Sequence, residues 1–281
     1  MPPSPNSSNG LISIEKASGE TEAFSNEKLY RSLCHAGASE ELAERVLGLL
    51  KNQISRKVSS AKLYRMAFKL LHKEARFLAA RYSLKRAIMS LGPSGYPFEM
   101  LVAALFANKK YSTQVGVEVQ GACVSHEIDV IAARNNHRLF VECKYRNRQG
   151  NKCDVKVALY VYARSLDLAR NPEAPKFDEF WLVTNAKFSQ DAVQYGECAG
   201  LKLLSWDHPN GNGLRERIQL SQIHPLTCLT TLKVREKKQL LSQNVVLCRE
   251  LLNNPDLLGQ MGLKGPEIRR VHKEILGLTA I

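Results

Sequence analysis

From Asn26 to about Leu91 the apolar positions recur three and four residues apart: Leu29 and Leu33, then Leu42, Val46, Leu49 and Leu50, then Leu63, Ala67, Leu70 and Leu71, then Ala79, Ala80 and Leu84. That is the period of helices burying one face, and it predicts about four of them. Ahead of them Leu11–Lys16 reads as a short strand, Ser18-Gly19 as a turn and Ala23-Phe24 as the return, a small β-hairpin. Gly92-Pro93-Ser94-Gly95 interrupts the pattern and is the best boundary in the chain. Beyond it Pro97 suits the first turn of a helix running to about Ala107. The period then changes to two: Thr113–Gln120, His126–Ala133 and Arg138–Tyr145 read as strands, Val155–Ala169 as a helix, Phe180–Thr184 as a strand, Gln190–Ala199 as a helix and Leu201–Trp206 as a last strand. This α-β-β-β-α-β-α-β order is that of an α/β domain. After the Asn210-Gly211-Asn212-Gly213 loop and Pro225 the tail is helical, with Leu240, Val245, Leu247, Leu251 and Leu252 at apolar positions. The expected organisation is a disordered lead-in (1–10), a mostly helical domain (11–95), an α/β domain (96–209) and a linker with a helical tail (210–281).

Composition sharpens this in one respect. The 281 residues carry a formal charge of +13 with 44% apolar positions, a globular composition with a basic bias that excludes disordered and fibrous classes. The charge is uneven: residues 11–95 carry +7, 96–209 carry +1 and 210–281 carry +5. Basic flanks around a near-neutral middle suit a protein whose ends hold a polyanion while the middle acts on it. No stretch has the roughly 18 apolar residues a membrane span needs, and Met1-Pro2-Pro3-Ser4-Pro5 lacks the order of a signal peptide, so a soluble, cytoplasmic protein without a membrane partner is expected. The seven cysteines are scattered and form no C-x-x-C, which points to reduced core residues rather than disulfides or zinc.

The chemistry concentrates in the second and third strands of the α/β domain. They flank Arg134-Asn135-Asn136-His137, and asparagine tolerates the positive φ of a two-residue hairpin turn. A turn at Asn135-Asn136 places Asp129 directly opposite Glu142, and like charges so placed need a cation between them or a proton on one of them. Strand alternation puts Lys144 on the face of Glu142. Two carboxylates suit Mg²⁺ or Mn²⁺, and a nearby ammonium could assist a metal-bound water in attacking a phosphodiester. Glu99 lies in an apolar helical stripe with Val102, Ala103 and Phe106; it is either a further member of this site or a helix N-terminal glutamate favoured by the macrodipole. The pattern [Asp/Glu]-x-Lys also occurs at Asp154/Lys156 and Glu236/Lys238, but only Glu142/Lys144 follows a strand that carries an aspartate.

With Phe98-Glu99, His126-Glu127-Ile128-Asp129-Val130-Ile131, Val141-Glu142-Cys143-Lys144-Tyr145, Val183-Thr184-Asn185 and Leu203-Leu204-Ser205-Trp206-Asp207, residues 96–209 resemble the restriction-endonuclease-like PD-(D/E)XK nucleases of the Mrr-like branch. The resemblance implies a central mixed sheet flanked by helices and a metal-dependent DNA endonuclease. Asp129 and Glu142 would hold Mg²⁺ or Mn²⁺, Lys144 would position the water or stabilise charge, and Glu99 would assist. Glu127 stands where many members carry glycine; by the hairpin register it would oppose Lys144 and pair with it. Lys156 and Tyr160 match only the spacing of a Gln-x-x-x-Tyr found in some relatives.

Residues 11–91 resemble an ATP-cone through Ile14-x-Lys16, Gly19-x-x-Glu22-x-Phe24, Lys28-Leu29 and Ala79-Ala80-Arg81-Tyr82, with departures at Ala17 and Val58. That resemblance implies a regulatory ATP or dATP site, with Lys16 and Lys28 on phosphates and Glu22 near the nucleotide. Leu257–Val271, around Met261-Gly262-Leu263-Lys264-Gly265, is similar to a helix-hairpin-helix, which presents backbone N–H groups to DNA phosphate. The reading that follows is a Mg²⁺-dependent endonuclease of duplex DNA tuned by adenine nucleotide, a homodimer if both strands are cut. The alternative is a nucleotide-sensing DNA-binding regulator that does not cleave.

Overall fold

The computed structural model describes residues 12–16, 19–54, 57–148, 150–254 and 256–280. The predicted lead-in, Ala17, Ser18 and Leu11 fall outside them. The chain divides into two compact units between Ser83 and Leu84.

In the first unit, strands β1 (Ser13–Glu15), β2 (Thr21–Ala23) and β3 (Lys57–Ser59) form a sheet in the order β2-β1-β3, with β1–β2 antiparallel and β1–β3 parallel. The hairpin was expected; β3 is an addition, three residues just ahead of a helix. Helices α1 (Asn26–His35), α2 (Glu40–Lys51), α3 (Ser60–Glu74) and α4 (Arg76–Tyr82) complete the unit. Serines cap the first three: Ser25, Ser39 and Ser59 accept from the N–H groups of Lys28, Leu42 and Lys62 at 3.2, 3.3 and 3.2 Å. Each satisfies one of the donors a helix start leaves open. The core joins Leu29, Leu33, Val46, Leu50, Ala67 and Leu71, all read from the sequence as apolar positions, with Ala43.

The second unit starts with α5 (Leu84–Met89), ahead of the Gly92–Gly95 cluster, because α5 packs on the 3₁₀ turn Leu226–Cys228; the Thr227 hydroxyl donates to the Ala87 carbonyl at 2.7 Å. Then follow α6 (Tyr96–Asn108), β4 (Ser112–Gln120), β5 (Ser125–Arg134), β6 (His137–Lys144), β7 (Lys152–Cys153), α7 (Val155–Arg170), β8 (Glu179–Thr184), β9 (Lys187–Phe188), α8 (Gln190–Cys198) and β10 (Lys202–Leu204). The main sheet runs β10-β8-β6-β5-β4, parallel among β10, β8 and β6 and antiparallel among β6, β5 and β4. A separate parallel pair, β7-β9, was not foreseen. Ile131, Phe140, Leu182 and Leu203 pack beneath α7 and α8 with Ala158, Val161, Leu168 and Ala192. Trp181, next to Leu182, points to the other face by strand alternation and meets Phe106 of α6 edge-on at 5.5 Å. The expected mixed sheet with helices on both faces is therefore present.

The tail is more broken than its periodicity indicated: α9 (Leu214–Leu220), α10 (Val234–Ser242), α11 (Cys248–Asn253), α12 (Asp256–Gln260) and α13 (Gly265–Thr279). Gly262, at φ +84°, turns the chain between α12 and α13, the segment that resembles a helix-hairpin-helix in sequence. Glu274 of α13, 3% exposed, accepts from the N–H and hydroxyl of both Thr230 and Thr231 at 2.6–2.9 Å and so ties α13 to the chain before α10. The cysteines are all free, but only Cys143, Cys153, Cys228 and Cys248 are buried; Cys123 and Cys198 are exposed, so they are not core residues as expected. No helix among the described residues is long and apolar enough to cross a membrane.

Asp167 of α7 shapes the β4–β5 connection. Its carboxylate accepts from the N–H groups of Cys123 and Val124 at 2.9 and 3.3 Å and bonds His126 Nε2 at 2.8 Å, and these partners, His126 foremost, hold it down to about 2. A Cβ on Gly121 would run into that carboxylate and come within 2.8 Å of the Val124 carbonyl oxygen. Asp167→Ala and Gly121→Ala are each expected to lower the melting temperature. Because the folded pKa of Asp167 lies below its unfolded value, its stabilisation is present above about pH 4 and is lost as pH falls towards 2. The gap between wild type and Asp167→Ala should therefore close on acidification, as measured by thermal unfolding from pH 6 to pH 2.5; a constant gap would exclude a role for the charge.

Candidate active site

The hairpin sets the geometry. Asn135 and Asn136 both have positive φ, 49° and 63°, as a two-residue turn requires. The pairing runs from Arg134–His137 to Val130–Val141, the register expected from that turn. One step further lie Asp129 and Glu142. There backbone pairing gives way to a side chain: Asp129 Oδ2 accepts the Cys143 N–H at 2.6 Å.

Glu142 is 5% exposed. Its Oε2 takes the guanidinium of Arg164, and its Oε1 lies 3.9 Å from Lys144 Nζ. Arg164, on α7 and 6% exposed, also donates to the Glu127 carbonyl and stands over the rings of Phe140 and Tyr160 at 5.2 and 5.4 Å. A buried carboxylate and a buried guanidinium thus satisfy one another where either alone would be costly. Burial still raises Asp129 against the pull of the Cys143 N–H, and burial followed by the charge of Asp129 pushes Glu142 up to about 7. Glu99, half-buried on α6, is also pushed up to about 7, first by burial and then by the charges of Asp129, Glu127 and Glu142. Burial leads in all three, and for Glu142 and Glu99 the neighbouring carboxylates add to it.

Asp129, Glu142, Lys144 and Glu99 are therefore gathered at one place. The expected Glu127–Lys144 pair does not form: Lys144 pairs with Glu142, while Glu127 is exposed and sits opposite Glu118 of β4. Arg164 was missed. The available signal was a cation inside the buried stripe of α7, three residues after Val161 and four before Leu168, where an unpaired charge would not be tolerated. Beside the site, Asn185 clamps the chain leaving β6, accepting from the Arg146 N–H at 2.8 Å and donating to its carbonyl at 2.7 Å. Tyr145 packs on Phe98 at 5.7 Å and donates to the Met89 carbonyl at 2.7 Å. Among the described residues no group of three or more His, Cys, Asp or Glu is spaced to hold a metal ion, so any ion here would rest on two carboxylates.

In the first unit Lys16, Glu22 and Lys28 also meet. Glu22 Oε2 lies 3.1 Å from both Lys16 Nζ and Lys28 Nζ, and Glu20 adds a contact to Lys16 at 3.6 Å. The bonds to Lys28 and Lys16 lower Glu22, and the bond to Glu22 raises Lys16.

Residues 92–208 match the catalytic-domain model of the Mrr restriction endonucleases, which makes this α/β domain restriction-endonuclease-like. Residues 224–279 match the C-terminal domain of AF1548-like proteins. An uncharacterized protein of Archaeoglobus fulgidus is 33% identical over 174 residues, 62% of this chain and 97% of that one. The crystal structure of AF1548, a protein of unknown function, superposes with a TM-score of 0.54 at 32% identity over 65% of this chain and 97% of that one. The structure of VC1899 from Vibrio cholerae gives a TM-score of 0.32 at 15% identity over 70% of this chain and 55% of that one. The chain belongs to the AF1548-like family.

Proposed function

We propose that this protein is a Mg²⁺-dependent DNA endonuclease that hydrolyses phosphodiester bonds, with its first unit an ATP-cone that tunes it through ATP or dATP. The observation that carries the nuclease reading is the set Asp129, Glu142 and Lys144, brought together by the β5–β6 register inside a restriction-endonuclease-like domain.

The donor set fits the ion. Asp129 commits Oδ2 to the Cys143 N–H and Glu142 commits Oε2 to Arg164, so Oδ1 of one remains for a cation together with Oε1 of the other, which the cation would share with Lys144 Nζ at 3.9 Å. Mg²⁺ is commonly held by one or two carboxylates together with waters and substrate phosphate. When bound it would neutralise charge on the phosphate and make a bound water more acidic. Arg164 keeps Glu142 in one orientation. Lys144, its side chain 36% exposed, offers an ammonium to the non-bridging oxygens of a phosphate. Glu99, with a pKa near neutrality, can hold a proton at a carboxyl oxygen or give it up.

The test is relaxation or linearisation of supercoiled plasmid with Mg²⁺, Mn²⁺ or EDTA. Cleavage with metal and none in EDTA is expected; DNA binding without cleavage in any metal would favour the regulator instead. For the cone, ATP at a hundred times Kd is expected to stabilise the protein by about 2.7 kcal/mol and so raise the melting temperature, with a smaller rise in Lys16→Ala. No shift in the wild type would rule out nucleotide binding by the first unit.

A further inference from the structure

The outer face of α3 has no part in either site. Lys62, Arg65, Lys69 and Lys73 are all exposed and, at 3.6 residues per turn, fall within an arc of about 80°. The only acid on α3, Glu74, is taken by Arg45 at 2.6 Å, and none of the four cations makes an ion pair among the described residues. Along one side of this stripe runs an aromatic one: Tyr64 stacks on Phe68 and Phe68 on His72, each at 6.0 Å, and Tyr82 of α4 stacks on Tyr64 at 5.2 Å. The apolar positions Leu63, Ala67 and Leu71 occupy the side turned to the core. The helix thus has three strips, core, aromatic and cationic, where an ordinary solvated helix would mix both signs of charge.

Four like charges in a row repel one another unless an anion lies along them. From Lys62 to Lys73 the row is about 16 Å long, close to five phosphates of one DNA strand at 3.4 Å of axial rise. A bilayer would call for an exposed apolar strip beside the charges, whereas the neighbouring rings are half-buried and stacked on each other. We propose that the α3 face of the first unit is a second DNA-binding surface, which grips the phosphate backbone of duplex DNA independently of the carboxylate site. The choice of DNA as the polyanion rests on the nuclease reading; the stripe itself does not.

The test is fluorescence anisotropy of the full-length protein on a labelled duplex, in EDTA and over a range of NaCl. Each lost phosphate contact lowers the slope of log Kobs against log[salt] by about 0.9, so replacing Lys62, Arg65 and Lys69 together by alanine should lower it by about 2.7. The melting temperature should be unchanged, since all three side chains are exposed. A control replacing Arg170, Lys176 and Lys202, three exposed cations of the second unit, corrects for net charge. A slope change no larger than the control's would overturn the proposal whether or not the protein cuts DNA. A large change in a protein that proves unable to cleave would leave the surface standing and remove only the nuclease reading.

Discussion

Asp129→Ala and Glu142→Ala are each expected to abolish plasmid cleavage while leaving affinity for duplex DNA unchanged or slightly raised. Each carboxylate would supply one oxygen to the cation; losing it forfeits about 4 kcal/mol of transition-state stabilisation, roughly a thousandfold in rate. Binding is governed by cations facing phosphates, and removing an anion can only lessen repulsion. Glu142→Ala carries a second consequence, because it leaves the buried Arg164 guanidinium without its carboxylate. Glu142→Gln, which keeps an acceptor there but not the charge, is the cleaner probe: it should recover part of the melting temperature without restoring cleavage. Mg²⁺-dependent cutting by Asp129→Ala would remove Asp129 from the site. Equal melting of all three variants would remove Arg164 from its supporting role.

The largest effect on stability is expected at Glu274. Alanine there would strand two backbone N–H groups and two threonine hydroxyls, in a place where Glu274 is 3% exposed. Leaving such donors unmade costs about 3 kcal/mol or more, a fall of roughly 10 °C for a unit of this size. Glu274→Gln retains one carbonyl acceptor but turns an NH₂ towards a donor, so it should fall between. Thermal unfolding followed by circular dichroism reads the series. A fall of less than about 2 °C in Glu274→Ala would mean that the Thr230-Thr231 segment finds other acceptors.

Much of the second unit was legible because its signals are local. The two asparagines, the two-residue period on either side and the Asp-to-Glu spacing together define the β5–β6 hairpin, and Pro97 marks the start of α6. The first unit's apolar stripes were legible for the same reason. What was not legible depends on contacts distant in sequence. β7 and β9 are two residues each and exist only because they pair with one another. The tail after Pro225 reads as helical, yet its first residues, buried Leu226, Thr227 and Cys228, form a 3₁₀ turn that packs on α5. Arg164 resembles any helical arginine until packing sets it against Glu142. Glu127 was assigned to Lys144 by register alone, but Lys144 turns instead to Glu142 two residues back on its own strand.

The Asn135-Asn136 turn carries no chemistry, yet the site depends on its parity. In a strand every second residue faces the same way, so one residue more or less in that turn would shift the partners of β5 by one along β6 and set Cys143 or Val141, rather than Glu142, against Asp129. Glu142 and Lys144 would keep their place in the chain and lose their place in the site. An even number at an exposed loop thus does the work of a catalytic residue, and a relative that changes it must restore the count elsewhere in the hairpin, as a bulge would.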